Sequence, residues 1–121
     1  MAHKEKTPAE LFAARALAAQ MKKELTENIL PYWINNICRP DNGFYGRLDG
    51  RENLDTDAPV GNIMTARILW TFASAYRILG NKEYLEMALK ARDLLIGKFY
   101  DAEFGGTYWS LNPDGTPLDT K

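Results

Sequence analysis

The 121-residue sequence predicts an all-α protein that ends in a short β-hairpin. Two observations carry that expectation. Apolar residues recur at helical spacing in three stretches; the first and third are apolar along one face, the second nearly all round. The second and third stretches are joined only by Gly80-Asn81, whereas the other connections are long and rich in glycine and aromatic residues. Short connections at one end and long ones at the other predict paired helices in two layers, with one-sided helices outside and the all-round helix inside. The long loops then gather where the inner helix begins, and loops on a rigid scaffold are where function concentrates.

Each element has a local reason. Thr7-Pro8-Ala9-Glu10 is a capping box with proline at the first helical position, so a helix starts there. Leu11, Ala14, Ala18, Met21, Leu25 and Ile29 form its apolar stripe. Pro31 is expected to kink or end it, with Tyr32-Trp33-Ile34 adding a further turn. Residues 39–59 read as a long loop, with a short strand expected over Gly43–Leu48. A second helix is expected from Val60 to Leu79, closed by Gly80 just past its end. Met64, Ile68, Leu69, Phe72, Ala73, Tyr76 and Leu79 form one face, while Ile63, Ala66 and Trp70 cover much of the rest. Such a helix is buried on nearly all sides, which places Trp70, like Trp33, in the core and leaves Arg67 amid apolar surface. Asn81 caps a third helix over Lys82–Tyr100, with Tyr84, Leu85, Ala88, Ala91, Leu95 and Phe99 on its buried side. Thr107–Leu111 is an aromatic-rich strand candidate, Asn112-Pro113-Asp114-Gly115 a strong turn, and Thr116–Leu118 the return strand.

Composition excludes several function classes. Apolar residues make up 45% and charged residues 26%, so the chain is not mainly disordered. Fifteen basic residues against sixteen acidic ones leave no net field for a phosphate backbone, and no nucleic-acid partner is expected. No apolar run approaches the roughly 20 residues that cross a bilayer, so no membrane partner is expected either. Lys4, Lys6 and the apolar run Leu11-Phe12-Ala13-Ala14 faintly resemble a signal peptide, but Glu10 and Arg15 interrupt it. The expectation is an amphipathic helix on a cytoplasmic protein. A lone cysteine, Cys38, allows no internal disulfide and most cysteine metal sites are excluded; no metal is expected. The lone histidine, His3, lies in the N-terminal tail, so this chain offers no histidine base inside a pocket.

Six segments then carry a resemblance. Asn28-Ile29-Leu30-Pro31-Tyr32-Trp33, Asn42-Gly43-Phe44-Tyr45-Gly46 and Ala66-Arg67-Ile68-Leu69-Trp70-Thr71-Phe72 follow in order, then Ala75-Tyr76-Arg77, Gly105-Gly106-Thr107-Tyr108-Trp109 and Asp114-Gly115-Thr116-Pro117. Together they resemble the N-terminal part of the N-acylglucosamine 2-epimerase family, nearest its cellobiose 2-epimerase branch. The resemblance implies an (α/α)6 barrel of alternating outer and inner helices. Residues 1–121 would then be a single incomplete domain holding its first three helices and the hairpin before the fourth.

The resemblance also implies a chemistry. The family inverts C2 of a reducing-end sugar: the ring opens, a base removes the C2 proton, an enediolate forms, and the proton returns to the other face. No cofactor is required, and the partner is a mono- or disaccharide. Arg67 matches an arginine that lines the family's catalytic pocket, and its fork can hold two sugar oxygens. The competing reading buries Arg67 against Asp55 or Asp57. Tyr108, Trp109 and Tyr45 are candidate sugar-stacking residues, against the alternative that they anchor the loops. The family's catalytic histidines lie beyond residue 121, so this chain alone is expected to be inactive, with an exposed inner helix prone to self-association. An aldose–ketose isomerase of the same fold, a non-catalytic sugar-binding remnant and a helical-repeat interaction module are the alternatives.

Overall fold

The computed structural model describes residues 4–119, which form three helical stretches and a small antiparallel sheet. Two compact units divide the chain, one up to Asn36 and one from Ile37 onward.

In the first unit, α1 (Pro8–Glu24) begins at the capping box. Thr7 Oγ1 accepts from the Glu10 amide at 3.2 Å, and the Glu10 carboxylate accepts from the Thr7 amide at 3.1 Å. Helix α2 (Leu30–Ile37) follows through a π-helical turn at Leu25–Ile29. The helix runs past Pro31 to Ile37, so of the two outcomes expected at the proline it is continuation that occurs, with Tyr32-Trp33-Ile34 in the added turns. Proline has no N–H to donate and its ring crowds the carbonyl four residues back, here Glu27. The wider turn, in which the Leu30 amide donates to the Leu25 carbonyl five residues back, precedes the proline and lets the helix continue. The expected stripe of α1 is not buried in this chain: Leu11, Met21 and Ile29 are exposed. Trp33, expected in the core, is half-buried.

In the second unit, α3 (Asn62–Leu79) and α4 (Lys82–Leu94) pack as a helical hairpin. Gly80 turns the chain at φ 76°, the left-handed region open to glycine, and Asn81 Oδ1 accepts from the Glu83 amide at 3.0 Å. Helix α4 widens into a π-helical turn at Leu95–Phe99, so the third helical stretch ends one residue before the expected Tyr100. Thr65, Ile68, Phe72 and Ala75 recur at three- and four-residue spacing and are the buried residues of α3. Tyr84, Met87, Ala88 and Ala91 are those of α4. The Phe72 and Tyr84 rings meet at 6.0 Å between centroids. Burying a side chain the size of Phe72 stabilises by about 2–3 kcal/mol. Thr65 is fully enclosed because its hydroxyl donates to the Gly61 carbonyl at 2.8 Å.

The opposite side of α3 departs from the all-round burial that its composition predicts. Trp70 is 73% exposed and Ile78 71%. Trp70 is thus a surface residue of this chain, not a core one. Only one side of α3 has a partner among the described residues, and an apolar face without one stays in solvent.

Two further boundaries shift. No strand forms over Gly43–Leu48; the loop makes only isolated bridges, Cys38 with Phe44 and Leu48 with Leu54. Val60–Gly61, expected to open the second helix, forms strand β1 instead. It pairs antiparallel with β2 (Ser110–Leu111), which pairs with β3 (Pro117–Asp119), so the expected hairpin gains a third strand. Val60 is β-branched and faces Leu111 across the ladder, and the two cluster with the fully buried Phe99. That cross-strand burial decides in favour of strand over helix.

Candidate functional site

The long connections meet at the N-terminal end of α3, as the loop lengths predict. The β1–β2 ladder pairs Gly61 with Ser110 and then runs into the helix. The Asn62 amide donates to the Trp109 carbonyl at 3.0 Å, and its side-chain Nδ2 donates to the Tyr108 carbonyl at 3.0 Å. From the other side, the Tyr108 amide donates to Phe99 O at 2.8 Å and the Trp109 amide to Asp119 O at 2.9 Å. The backbone carrying the two aromatics is therefore tied on both edges.

Arg67 stands on the second turn of α3, in an exposed patch with Asn62, Ile63, Ala66, Trp70 and Thr71. Among the described residues no carboxylate pairs with it. Asp55 instead accepts from the Asp57 amide within its own turn at 3.1 Å. The reading in which Arg67 is buried against that loop therefore does not hold. An exposed guanidinium keeps its fixed charge and its full set of donors free for a ligand.

The aromatic candidates sit in different surroundings. Trp109 is 59% exposed. Tyr108 is half-buried and packs against Val60, Phe99 and Leu111. Burial above all, then the charge and hydrogen bond of Asp101, push its phenol above the ordinary tyrosine value. Asp101 is itself buried, and its Oδ1 accepts from the Glu103 and Phe104 amides, both at 3.0 Å. Tyr45 lies under the Arg39 guanidinium, 5.2 Å from its ring centroid, so one ring face is already occupied. A separate cleft of about 220 Å³ opens between the 39–44 loop, the end of α4 and the turn before β3; Arg67, Tyr45, Tyr108 and Trp109 are not among its lining residues.

Two residues of this region escape the sequence reading. Asn62 follows a glycine at the start of a helix, where asparagine reads as an ordinary cap. Asp101 opens the Asp101–Gly106 turn, and an aspartate two and three residues before the amides it binds is the signal of such a turn. His3 lies outside the described residues. Among the described residues no three His, Cys, Asp or Glu side chains converge on a metal-sized space. No helix among them is long and apolar enough to cross a membrane.

Comparison with known proteins bears on the family and the fold. Residues 43–121 match the family model of N-acylglucosamine 2-epimerase (GlcNAc 2-epimerase). A cellobiose 2-epimerase of Bacteroides fragilis is 57% identical over 106 residues, which are 87% of this chain and 27% of that protein. One from Ruminococcus albus is 38% identical over 104 residues, 86% of this chain and 27% of the other. The structure of cellobiose 2-epimerase from Spirochaeta thermophila DSM 6192 superimposes with a TM-score of 0.80 at 40% identity, covering 87% of this chain and 26% of that one. That from Bacillus thermoamylovorans B4167 gives a TM-score of 0.82 at 33% identity, over 87% and 27% of the two chains. The chain thus spans about 27% of the length of the curated relatives it matches. These neighbours are (α/α)6 barrels, and the paired helices and sheet described above are a portion of that fold. A family match over most of its length and a backbone shared with epimerases at this identity show that the chain belongs to the N-acylglucosamine 2-epimerase family.

Proposed function

We propose that this chain is part of a sugar 2-epimerase that inverts C2 of a reducing-end glucose, with a cellobiose-type disaccharide as substrate. The carrying observation is the exposed Arg67, without a carboxylate partner among the described residues, on the helix to which the Tyr108–Trp109 segment is tied. The likeness to proteins named cellobiose 2-epimerase supports the choice of substrate.

In this reading, ring opening exposes the aldehyde at C1, a base removes the C2 proton, and an enediolate forms. Negative charge grows on the C1 oxygen as the C–H bond breaks. The Arg67 guanidinium donates to that oxygen through its planar fork of N–H groups. Trp109 supplies an apolar face for the sugar ring, with Tyr108 and Tyr45 as secondary contacts. The base and acid come from the rest of the protein, so residues 1–121 alone do not turn over. The reaction balances without a metal or a redox cofactor, because the proton removed from one face returns to the other. In the full-length protein the exposed side of α3, including Ile63, Trp70 and Ile78, is covered by the remaining length; a 121-residue chain by itself self-associates through it. The lone Cys38 supports a cytoplasmic setting.

The test is turnover of cellobiose by the full-length protein in D2O, followed by NMR. Expected are a product ending in mannose, deuterium at its C2, and a loss of about 100-fold or more in kcat for Arg67→Ala. A ketose product would move the assignment to an isomerase. Absence of C2 exchange, or an Arg67→Ala variant as fast as the parent, would overturn the reading.

A further inference from the structure

We propose that Asn62 is a positioning residue of the sugar site, and that its carboxamide sets the direction of the Trp109 side chain relative to Arg67. The inference rests on the epimerase reading and adds to it a residue that touches no sugar. A Cα–Cβ direction is set by the two peptide planes that flank the Cα. For Trp109, the preceding plane carries the Tyr108 carbonyl and the Trp109 amide. The first accepts from Asn62 Nδ2 at 3.0 Å, and the second donates to Asp119 O at 2.9 Å. The following plane carries the Trp109 carbonyl, which accepts from the Asn62 amide at 3.0 Å. One residue thus holds both planes. The backbone rung from the Asn62 amide would survive any non-proline side chain here. The rung to Tyr108 needs a side chain that donates at this reach.

That residue belongs to α3. Asn62 lies in the same exposed patch as Arg67, five positions before it on a rigid helix. The bond to Tyr108 therefore fixes the aromatic platform against the element that carries the cation. Asparagine suits the position chemically. Its carboxamide donates to a carbonyl, whereas the carboxylate of aspartate, nearly the same in shape, only accepts and would repel it. Aspartate is nonetheless favourable in the first turn of a helix, because the dipole there attracts negative charge. Asn62→Asp accordingly removes the positioning bond without weakening the start of α3.

The experiment uses the full-length protein with cellobiose, comparing the parent, Asn62→Asp, Asn62→Ser, Trp109→Ala, Arg67→Ala and the double variant Asn62→Asp/Trp109→Ala, each with its thermal unfolding curve. Expected for Asn62→Asp is an unfolding midpoint close to the parent, a rise in KM of about tenfold and a smaller change in kcat, because Trp109 holds the ring in ground and transition states alike. Asn62→Ser, whose shorter hydroxyl donates weakly at this distance, falls between. In the Trp109→Ala background Asn62→Asp adds almost nothing, since the group it positions is gone. A merely structural Asn62 would give additive losses in that cycle. Additivity, or a parental KM in Asn62→Asp while Arg67→Ala is impaired, overturns the proposal and leaves the epimerase reading standing. An Arg67→Ala variant at the parental rate overturns both. Should Asn62→Asp fail to fold, Asn62→Ser carries the same comparison.

Discussion

Residues 38–59 and residues 100–119 both leave a helix and run through glycines and aromatics, but they are held in different ways. The second stretch is held by a ladder. β2 lies between β1 and β3, the turn before β3 is closed by the Asn112 amide donating to Thr116 O at 2.7 Å and the Gly115 amide to Asn112 O at 2.9 Å, and Phe99 and Leu111 lie buried beneath. The first has isolated bridges only and is held by close approach and by side chains capping its own backbone. Phe44 is fully buried, and Asp49 accepts from the Arg51 and Asn53 amides at 2.8 and 2.9 Å. Regular pairing distributes a constraint over several hydrogen bonds. A bridged loop concentrates it in a few residues, so single substitutions reach further there.

The largest expected effect tests that concentration. A Cβ on Gly46 would stand 1.9 Å from the Pro59 carbonyl oxygen and 2.7 Å from its carbon, both backbone atoms that cannot swing aside. Gly46→Ala is expected to cost about 3 kcal/mol, the upper range for forcing extra volume into a packed site, read as a lowered denaturant midpoint. A variant of parental stability would mean that the loop yields, and that close approach is not what holds it.

The counterpart in the ladder-held stretch is milder. Gly115 sits at φ 89° in the turn before β3, with the Lys98 side chain 3.5 Å from where a Cβ would be. The space is adequate, so the penalty of Gly115→Ala is conformational, about 1 kcal/mol. The same denaturant series measures it. A cost equal to that of Gly46→Ala would erase the distinction between the two stretches.

Acid should affect both stretches, and least of all in size. The Asn53 and then the Arg51 amides hold the Asp49 carboxyl below the usual carboxylate range, and the Thr116 hydroxyl and then its amide do the same for Asp114. A carboxyl lowered in the folded state lends stability above its unfolded pKa and loses it as pH falls through the ordinary range and below. Both groups are exposed, so solvent screens the effect. The protection of the Asn53 and Thr116 amides, measured as exchange relative to the intrinsic rate at each pH, is expected to fall on acidification, and Asp49→Asn and Asp114→Asn to flatten that response locally. Protection unchanged down to the acid limit would show that these caps carry no weight in either stretch.

The helices were legible because their signals are local. The Thr7 capping box, the Gly80-Asn81 break and the apolar spacing of α3 and α4 each act within a few residues. The sequence was misleading where the deciding partner is distant. Val60 became strand because Leu111 lies across from it, fifty-one residues on. Gly43–Leu48 stayed irregular because among the described residues no strand lies beside it; at Pro31 the sequence left ending and continuing open, and the π-helical turn before the proline, invisible to residue spacing, decided for continuing. Of the site, Arg67 stood out as a cation on an apolar helix, and the turn signals placed Tyr108 and Trp109 in a hairpin. Asn62 and Asp101 did not stand out, since short polar residues beside a glycine or a turn have ordinary local uses.

By itself, then, the sequence determined the helical class, the cap of α1, the break between α3 and α4, which end of α3 gathers the loops, and the family resemblance that the comparisons established. Those properties follow from capping, periodicity and chain connectivity, which operate over a turn or two of chain. Tertiary structure decided that Arg67 has no carboxylate partner among the described residues, that Tyr45 sits beneath Arg39, that one side of α3 is buried and the other left open, and that Asn62 ties the aromatic segment to the helix of the cation. Each depends on which groups meet across tens of residues, and a hydrogen bond or a buried face exists only once both partners are in place.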